Sequence, residues 1–330
     1  MPRMMKAVWY EENGPADKVL IYGEMPVPVP AAGEVLVRLN ASGVNPSDVK
    51  ARAGSRPMAF DRVVPHSDGA GVVEAVGEDA DPAMVGRRVY LRNGQWRRAG
   101  GTAAQYIALD AGCVHDLPDG VSFETGAALG IPALTAAYAV LKDGPVEDQT
   151  ILIQGGGGTV ARLAIQIAVD CGAQVIATTG NPDSAAHITA AGAAAVLDYR
   201  DPDLAASVAA TCGGKPVTRL IDAEIGSNIA TNIDILAEKG VMVGFGSVLN
   251  PVAELPFLKM MFKNITLSSI LVYLLERDEA AAYAAIIGDM LVRGALDVPV
   301  GHVVPFADAA RAHELVEGAG RKGAVILGID

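Results

Sequence analysis

The sequence predicts an α/β protein built from two unlike regions, and three observations point to it. Residues from Met5 to about Asp119 form short strand-like runs broken by turn residues, while from about Val121 alanine-rich helical patterns alternate with apolar strands. Between the first of those later strands and the helix after it lie four glycines, Gly155 to Gly158. Alternating βα units imply a parallel, doubly wound sheet.

Taken in order, the first region reads as mostly β. Gly33–Leu39, Gly71–Gly77 and Arg87–Leu91 are aliphatic runs bounded by Gly, Pro and Asp, the composition of short strands. The second region opens on the apolar strand Thr150–Ile153, passes the glycines, and continues as a helix from Val160 to Cys171. Strands follow at Gln174–Thr178, Ala195–Asp198, Leu220–Asp222, Gly240–Gly244 and Ile265–Ser269. The tail is mixed, with helices over Arg277–Gly294 and Ala307–Glu317 and a final strand Ala324–Ile329. It does not fit as further βα units and is expected to complete the first region.

Composition excludes several classes of function. An apolar fraction of 51% over 330 residues is ample for two cores. A net charge of -12 argues against a polyanionic partner, and the basic cluster Arg92, Arg97 and Arg98 is too small to imply nucleic acid. Met1 to Lys6 leads into a strand-like stretch, and no apolar run approaches a membrane span, so a cytoplasmic protein with no membrane partner is expected. Cys113, Cys171 and Cys212 lack C-x-x-C spacing, and the five histidines (His66, His115, His187, His302, His313) show no H-E-x-x-H or H-x-H pattern. Any zinc would need ligands gathered from distant segments.

The glycine run carries the strongest chemical signal. Gly156-x-Gly158-x-x-Ala161 matches the G-x-G-x-x-G/A fingerprint of dinucleotide binding. Gly156 is expected to make the tight turn, Gly158 to let the backbone approach a pyrophosphate, and Ala161 to pack helix on strand. Gly157, Thr159 and Val160 complete this cradle at a helix N-terminus, where open N–H groups and the helix dipole favour anions. NAD-binding sites place an acidic residue at the end of the second strand, to hold the ribose 2′-hydroxyl. Here that stretch reads Thr178-Thr179-Gly180-Asn181, which leaves room for a 2′-phosphate and favours NADPH.

The chain resembles the medium-chain dehydrogenase/reductase superfamily, and within it the zinc-free quinone oxidoreductase (zeta-crystallin-like) branch. The carriers are Gly43-Val44-Asn45-Pro46-Ser47-Asp48, Pro65-His66-Ser67-Asp68-Gly69-Ala70-Gly71, Gly101-Thr102-Ala103-Ala104-Gln105-Tyr106, Leu134-Thr135-Ala136-Ala137-Tyr138, the glycine turn, and Ala312-His313-Glu314-Leu315-Val316-Glu317. The resemblance implies a GroES-like β domain at 1–122 and 270–330, interrupted by a Rossmann dinucleotide-binding domain at 123–269. Zinc-dependent relatives ligate their catalytic metal at the positions of Asn45, Ser67 and Ile131, none of which is a zinc-ligand type here. No metal is expected, and the chemistry falls to the cofactor.

Site residues follow by the same resemblance. Asn45 would sit beside the nicotinamide and donate to the acceptor oxygen as charge develops, although its side chain equally suits an Asx turn before Pro46. Asp48 and Asp68 would orient the site or cap local turns. His66, where relatives often have glycine, would donate a proton, contact substrate or serve structure alone. Thr135 would approach the nicotinamide or its ribose, and Phe245, Gly246, Ser247, Leu271, Val272 and Tyr273 would lie along the nicotinamide edge. Thr179, Gly180, Asn181 and Tyr199 would line the 2′-phosphate pocket. Arg200 would add charge there, while Ser184, with Asp183 beside it, stands where relatives carry a basic residue. Ser55-Arg56-Pro57 replaces a tyrosine-bearing loop of many relatives, and Trp96 would wall the substrate site or anchor local packing. The implied activity is reduction of a quinone, with reduction of an enone or 2-alkenal double bond as the alternative. A non-catalytic NADPH-binding or RNA-binding crystallin-like role is a further alternative. The apolar stretch Ile265–Leu275 resembles an edge through which relatives dimerise, so a homodimer or dimer-based tetramer is expected.

Overall fold

The computed structural model describes residues 2–318 and 322–330. The chain forms two compact units. One comprises the chain to Ile131 with Leu275–Arg293 and Val298 onward; the other comprises Pro132–Leu274 with Gly294–Asp297.

The strands of the first unit are β1 (Met4–Trp9), β2 (Ile21–Pro26), β3 (Glu34–Val44), β4 (Asp68–Val76), β5 (Arg88–Leu91), β6 (Tyr106–Asp110) and β7 (Val114–Asp116). The second unit carries β8 (Thr150–Ile153), β9 (Gln174–Thr179), β10 (Ala195–Asp198), β11 (Val217–Asp222), β12 (Leu236–Gly244) and β13 (Thr266–Ser269). The chain then returns to the first unit with β14 (Val300–Pro305) and β15 (Ala324–Gly328).

In the first unit β1 and β2 form an antiparallel pair, and a seven-stranded sheet is ordered β14-β15-β3-β4-β5-β7, with β6 also pairing β3. β3 is the spine. Glu34–Arg38 pair with β6, Ala41–Val44 pair with β15, and β4 runs along the other edge. The tail belongs here for a physical reason: β15 satisfies the open edge of β3 near its end. Val304, Phe306, Ala312, Val316, Val325 and Leu327 also bury against Val35, Val37 and Leu39 in one core.

The second unit is a six-stranded, wholly parallel sheet in the order β10-β9-β8-β11-β12-β13. Ile151, Leu152 and Ile153 are each 0% exposed, as expected of a central parallel strand covered on both faces. The chain moves outward from β8 through β9 to β10, then returns to β11 beside β8 and moves outward the other way. Strand order therefore reverses between β8 and β11, and loops at the carboxyl ends there splay apart into a crevice where ligands bind in such sheets.

The apolar stretch Ile265–Leu275 differs from expectation. The edge strand β13 consists of Thr266, Leu267, Ser268 and Ser269, and the apolar weight lies outside it. Ile265, Ile270, Val272 and Leu275 are buried, which leaves Leu267, Leu271 and Leu274 exposed. No helix among the described residues is long and apolar enough to cross a membrane.

Candidate active site

The second unit gathers most of the cofactor residues expected from the sequence at the carboxyl ends of its strands. Gly155, not Gly156, makes the turn: its φ is +67°, in the left-handed region that favours glycine. Gly156 serves close approach. Its N–H donates to the Thr178 carbonyl at 2.7 Å, and a Cβ there would come within 3.0 Å of the Ala177 Cβ and 3.3 Å of Ile188. The left-handed residue falls one place earlier than the fingerprint suggested because the turn folds back onto β9 before the helix begins. Gly158 is the N-cap of the helix Thr159–Asp170, in extended backbone any residue adopts, and a Cβ there meets only the Gly155 carbonyl oxygen at 3.6 Å. The glycine therefore keeps open the space in front of the first N–H groups of that helix, which have no intrahelical acceptor. Thr159 and Val160 are half-buried beside it, and Ala161 packs into the core at 4% exposure.

Around this turn stand Ser184, whose hydroxyl oxygen lies 3.3 Å from where a Gly157 Cβ would be, and the end of β9. Thr179 Oγ1 accepts the Asn181 N–H at 3.1 Å, and Asn181 Oδ1 accepts the Asp183 N–H at 3.0 Å, so polar side chains hold the chain as it leaves the strand. Any side chain at Gly180 would collide with the Tyr199 ring, which packs over that glycine and remains half exposed. Arg200 does not supply free charge there. Its guanidinium grips the Asp198 carboxylate at 2.7 Å and pulls that acid down to about 2.

The nicotinamide-edge residues divide. The Phe245 N–H donates to the Asp222 carbonyl at 3.1 Å, and Gly246 is required because a Cβ would stand 2.6 Å from the Ala223 carbonyl oxygen. The Ser247 hydroxyl accepts the Gly226 N–H at 2.8 Å and donates to the Asn250 carbonyl at 2.5 Å, so it holds its own loop. Glu224 secures the same loop by accepting the N–H groups of Val248, Leu249 and Asn250. Leu271 is exposed and Tyr273 half-buried, but Val272 is 4% exposed and Thr135 5%, leaving those two little surface to offer a ligand.

Beneath the glycine turn runs a polar ladder that the sequence analysis missed. Thr178 Oγ1 accepts the Gly155 N–H at 3.2 Å and donates to Gln154 Oε1 at 2.5 Å; Gln154 Nε2 donates to Asn232 Oδ1 at 2.9 Å; Asn232 Nδ2 donates to Asp222 Oδ2 at 2.8 Å. It fixes the ends of β9, β8 and β11 relative to one another, and burial raises the Asp222 carboxyl above its ordinary range. The available signal was a polar residue closing each apolar strand: Thr178, Gln154, Asp222.

The first unit carries the other expected residues in one buried cluster. Asn45 caps the helix Pro46–Ala53; its N–H donates to Asp48 Oδ2 at 2.8 Å, and its Nδ2 donates to Asp68 Oδ2 at 2.7 Å. Asp68 is 0% exposed, and its other oxygen accepts the Ile131 N–H at 2.8 Å. The fold thus brings together Asn45, Asp68 and Ile131, segments far apart in sequence. Burial pushes the Asp48 carboxyl up to about 7 and Asp68 well above the carboxylate range, with the Asn45 hydrogen bonds pulling the other way. Asp48 serves as a helix cap, and Asp68 aims the Asn45 amide. Among the described residues no three His, Cys, Asp or Glu side chains group as metal ligands.

His66 lies sealed inside the first unit. It is 0% exposed, so its ring has no surface with which to touch a substrate. Nδ1 faces the Ser42 hydroxyl at 2.9 Å and Nε2 faces His313 Nε2 at 2.9 Å, and burial holds both rings neutral by lowering their pKa values. Its φ of +76° explains why glycine suits the position, and its side-chain bonds offset the strain.

Two family models match the chain: an alcohol dehydrogenase GroES-like domain over residues 31–119 and a zinc-binding dehydrogenase over residues 159–287. A human quinone oxidoreductase is 28% identical over 330 residues, covering 98% of each chain. The native structure of a mycobacterial quinone oxidoreductase superposes with a TM-score of 0.91 at 30% identity, covering 98% of this chain and 100% of that one. A quinone oxidoreductase from Escherichia coli complexed with NADPH gives 0.86 at 27% identity, again with 98% and 100% covered.

Proposed function

Because this chain belongs to the quinone oxidoreductase branch of the medium-chain dehydrogenase/reductase superfamily, we propose that it reduces a quinone or similarly conjugated carbonyl by hydride transfer from NADPH. The observation that carries this reading is the glycine cradle at the strand-order reversal, with an open Gly158 and no acid where β9 ends. Those residues fit a dinucleotide: the helix N-terminus would receive the pyrophosphate, and Thr179, Gly180, Asn181, Ser184 and Tyr199 would hold a 2′-phosphate. Bound there, the cofactor supplies the hydride.

The chain's own residues position and polarise. An amide nitrogen carries two hydrogens, and Asp68 Oδ2 accepts one from Asn45, which orients the other toward an acceptor oxygen. No Lewis acid is invoked, since Asn45, Ser67 and Ile131 occupy the positions where zinc-dependent relatives ligate metal. The exposed Leu267, Leu271 and Leu274 beside the β13 edge support a homodimer formed there.

The test is NADPH oxidation by chelator-treated protein with 1,4-benzoquinone against a simple enone, repeated with NADH. Quinone-dependent turnover that survives chelation and prefers NADPH is expected. Turnover only with the enone transfers the assignment to double-bond reduction, and tight NADPH binding without turnover of either acceptor overturns the enzymatic assignment.

A further inference from the structure

We propose that the quinone-type acceptor reduced by this protein carries an anionic group, a carboxylate or sulfonate on an aromatic ring system, held in a cavity of the first unit. This names the substrate class of the activity proposed above and rests on it. The cavity encloses about 270 Å³ and is walled by Tyr10, Met58, Phe60, Val63 and Trp96, with Arg56 and Arg97 at its rim. It lies against Ala51, on the helix that Asn45 caps.

The walls suit a flat ring and the rim suits a negative charge. Aromatic and apolar side chains offer faces for stacking, and guanidinium groups present planar forks that match a carboxylate or sulfonate. Arg56 and Arg97 form no ion pair among the described residues: the Arg56 guanidinium reaches only the neutral Gln95 side-chain oxygen, at 3.3 Å, and Arg97 lies over the Trp96 ring, 5.1 Å from its centre. Nearby Arg62, by contrast, is already paired with Glu11 at 2.7 Å. In a chain of net charge -12, two cations on one aromatic cavity, neither held in an ion pair among the described residues, are conspicuous by their chemistry, although the Arg56 charge is also felt by the buried Asp48. The loop that presents Arg97 also holds that arginine itself in the left-handed region, at φ +56°. Such backbone persists where the surrounding structure holds it, and it clusters at ligand sites.

The test compares matched pairs. Turnover is measured with 1,2-naphthoquinone-4-sulfonate and 1,2-naphthoquinone, and binding of naphthalene-2-sulfonate and 2-naphthol is followed by Trp96 fluorescence, with Trp96→Phe removing the signal. Two exposed ion pairs predict a KM and Kd ratio of about two- to thirty-fold in favour of the anion. The ratio should fall toward one in Arg56→Gln/Arg97→Gln and shrink as salt is raised. Equal affinity for charged and neutral rings, or a preference that survives the double substitution, overturns the proposal while leaving quinone reduction intact. Anion-selective fluorescence quenching without turnover of either quinone would overturn the substrate assignment and trace that failure to the activity itself.

Discussion

Gly158→Ala separates the folding role of the glycine run from its binding role. Gly158 has φ -76° and ψ 156°, which alanine adopts freely, and the added Cβ would have the Gly155 carbonyl oxygen at 3.6 Å as its only neighbour. Stability should stay within about 0.5 kcal/mol of wild type. The methyl group would nonetheless occupy the space in front of the helix N-terminus and hold a pyrophosphate away from one of its N–H donors. A hydrogen bond to a charged group contributes roughly 1.5–3 kcal/mol, so NADPH affinity should fall by about 10- to 150-fold. Gly155→Ala is the converse. Its φ of +67° imposes about 1–2 kcal/mol of strain with no steric neighbour within 4 Å. Urea unfolding without cofactor and NADPH titration by calorimetry, applied to both variants, read the two effects apart. Unchanged NADPH affinity in a stably folded Gly158→Ala protein would refute the placement of the pyrophosphate.

Asn45→Ala and Asp68→Ala should each lower kcat/KM for quinone by about 10²–10³, and the double variant should lose little more, because one residue acts through the other; additive losses would show separate roles. Tyr199→Ala should reduce the preference for NADPH over NADH, measured as a ratio of kcat/KM values, since it removes the ring that covers Gly180. Burial raises the Asp48 pKa from 3.8 to about 7, so the folded state binds the extra proton between those values, and stability falls as pH rises through that window by up to about 1.4 kcal/mol per unit. Asp48→Asn should remove that slope in urea melts from pH 4 to 7. His115 has the opposite sign: burial lowers it from 6.5 to about 4, so stability is lost as pH falls through that interval, and His115→Phe should flatten that acid limb.

Much of the architecture was legible because it is local. The βα alternation, the strand positions and the glycine run are written in short-range periodicity and in residues with special backbone freedom, and β10 falls on the expected Ala195–Asp198. The absence of an acid from Thr178 to Asn181 was equally plain from the sequence. The family resemblance supplied both Asn45 and Asp68, but not the hydrogen bond between them, because that pairing spans 23 residues and forms only when the chain folds.

What the sequence by itself determined was the class of each segment and the chemistry available to it. Which glycine turns, which arginine is free and which histidine is sealed were decided only by the tertiary structure. Gly155 takes the left-handed position because the chain folds back onto β9; Arg200 is clamped in an ion pair by Asp198, whereas Arg56 meets a neutral amide and Arg97 an aromatic ring. His66 is buried because Ser42 and His313, 24 and 247 residues away, close around it. Periodicity reports which face of an element is apolar, but not which distant element will cover it. Accessibility and pairing, on which function depends, are set by those long-range contacts.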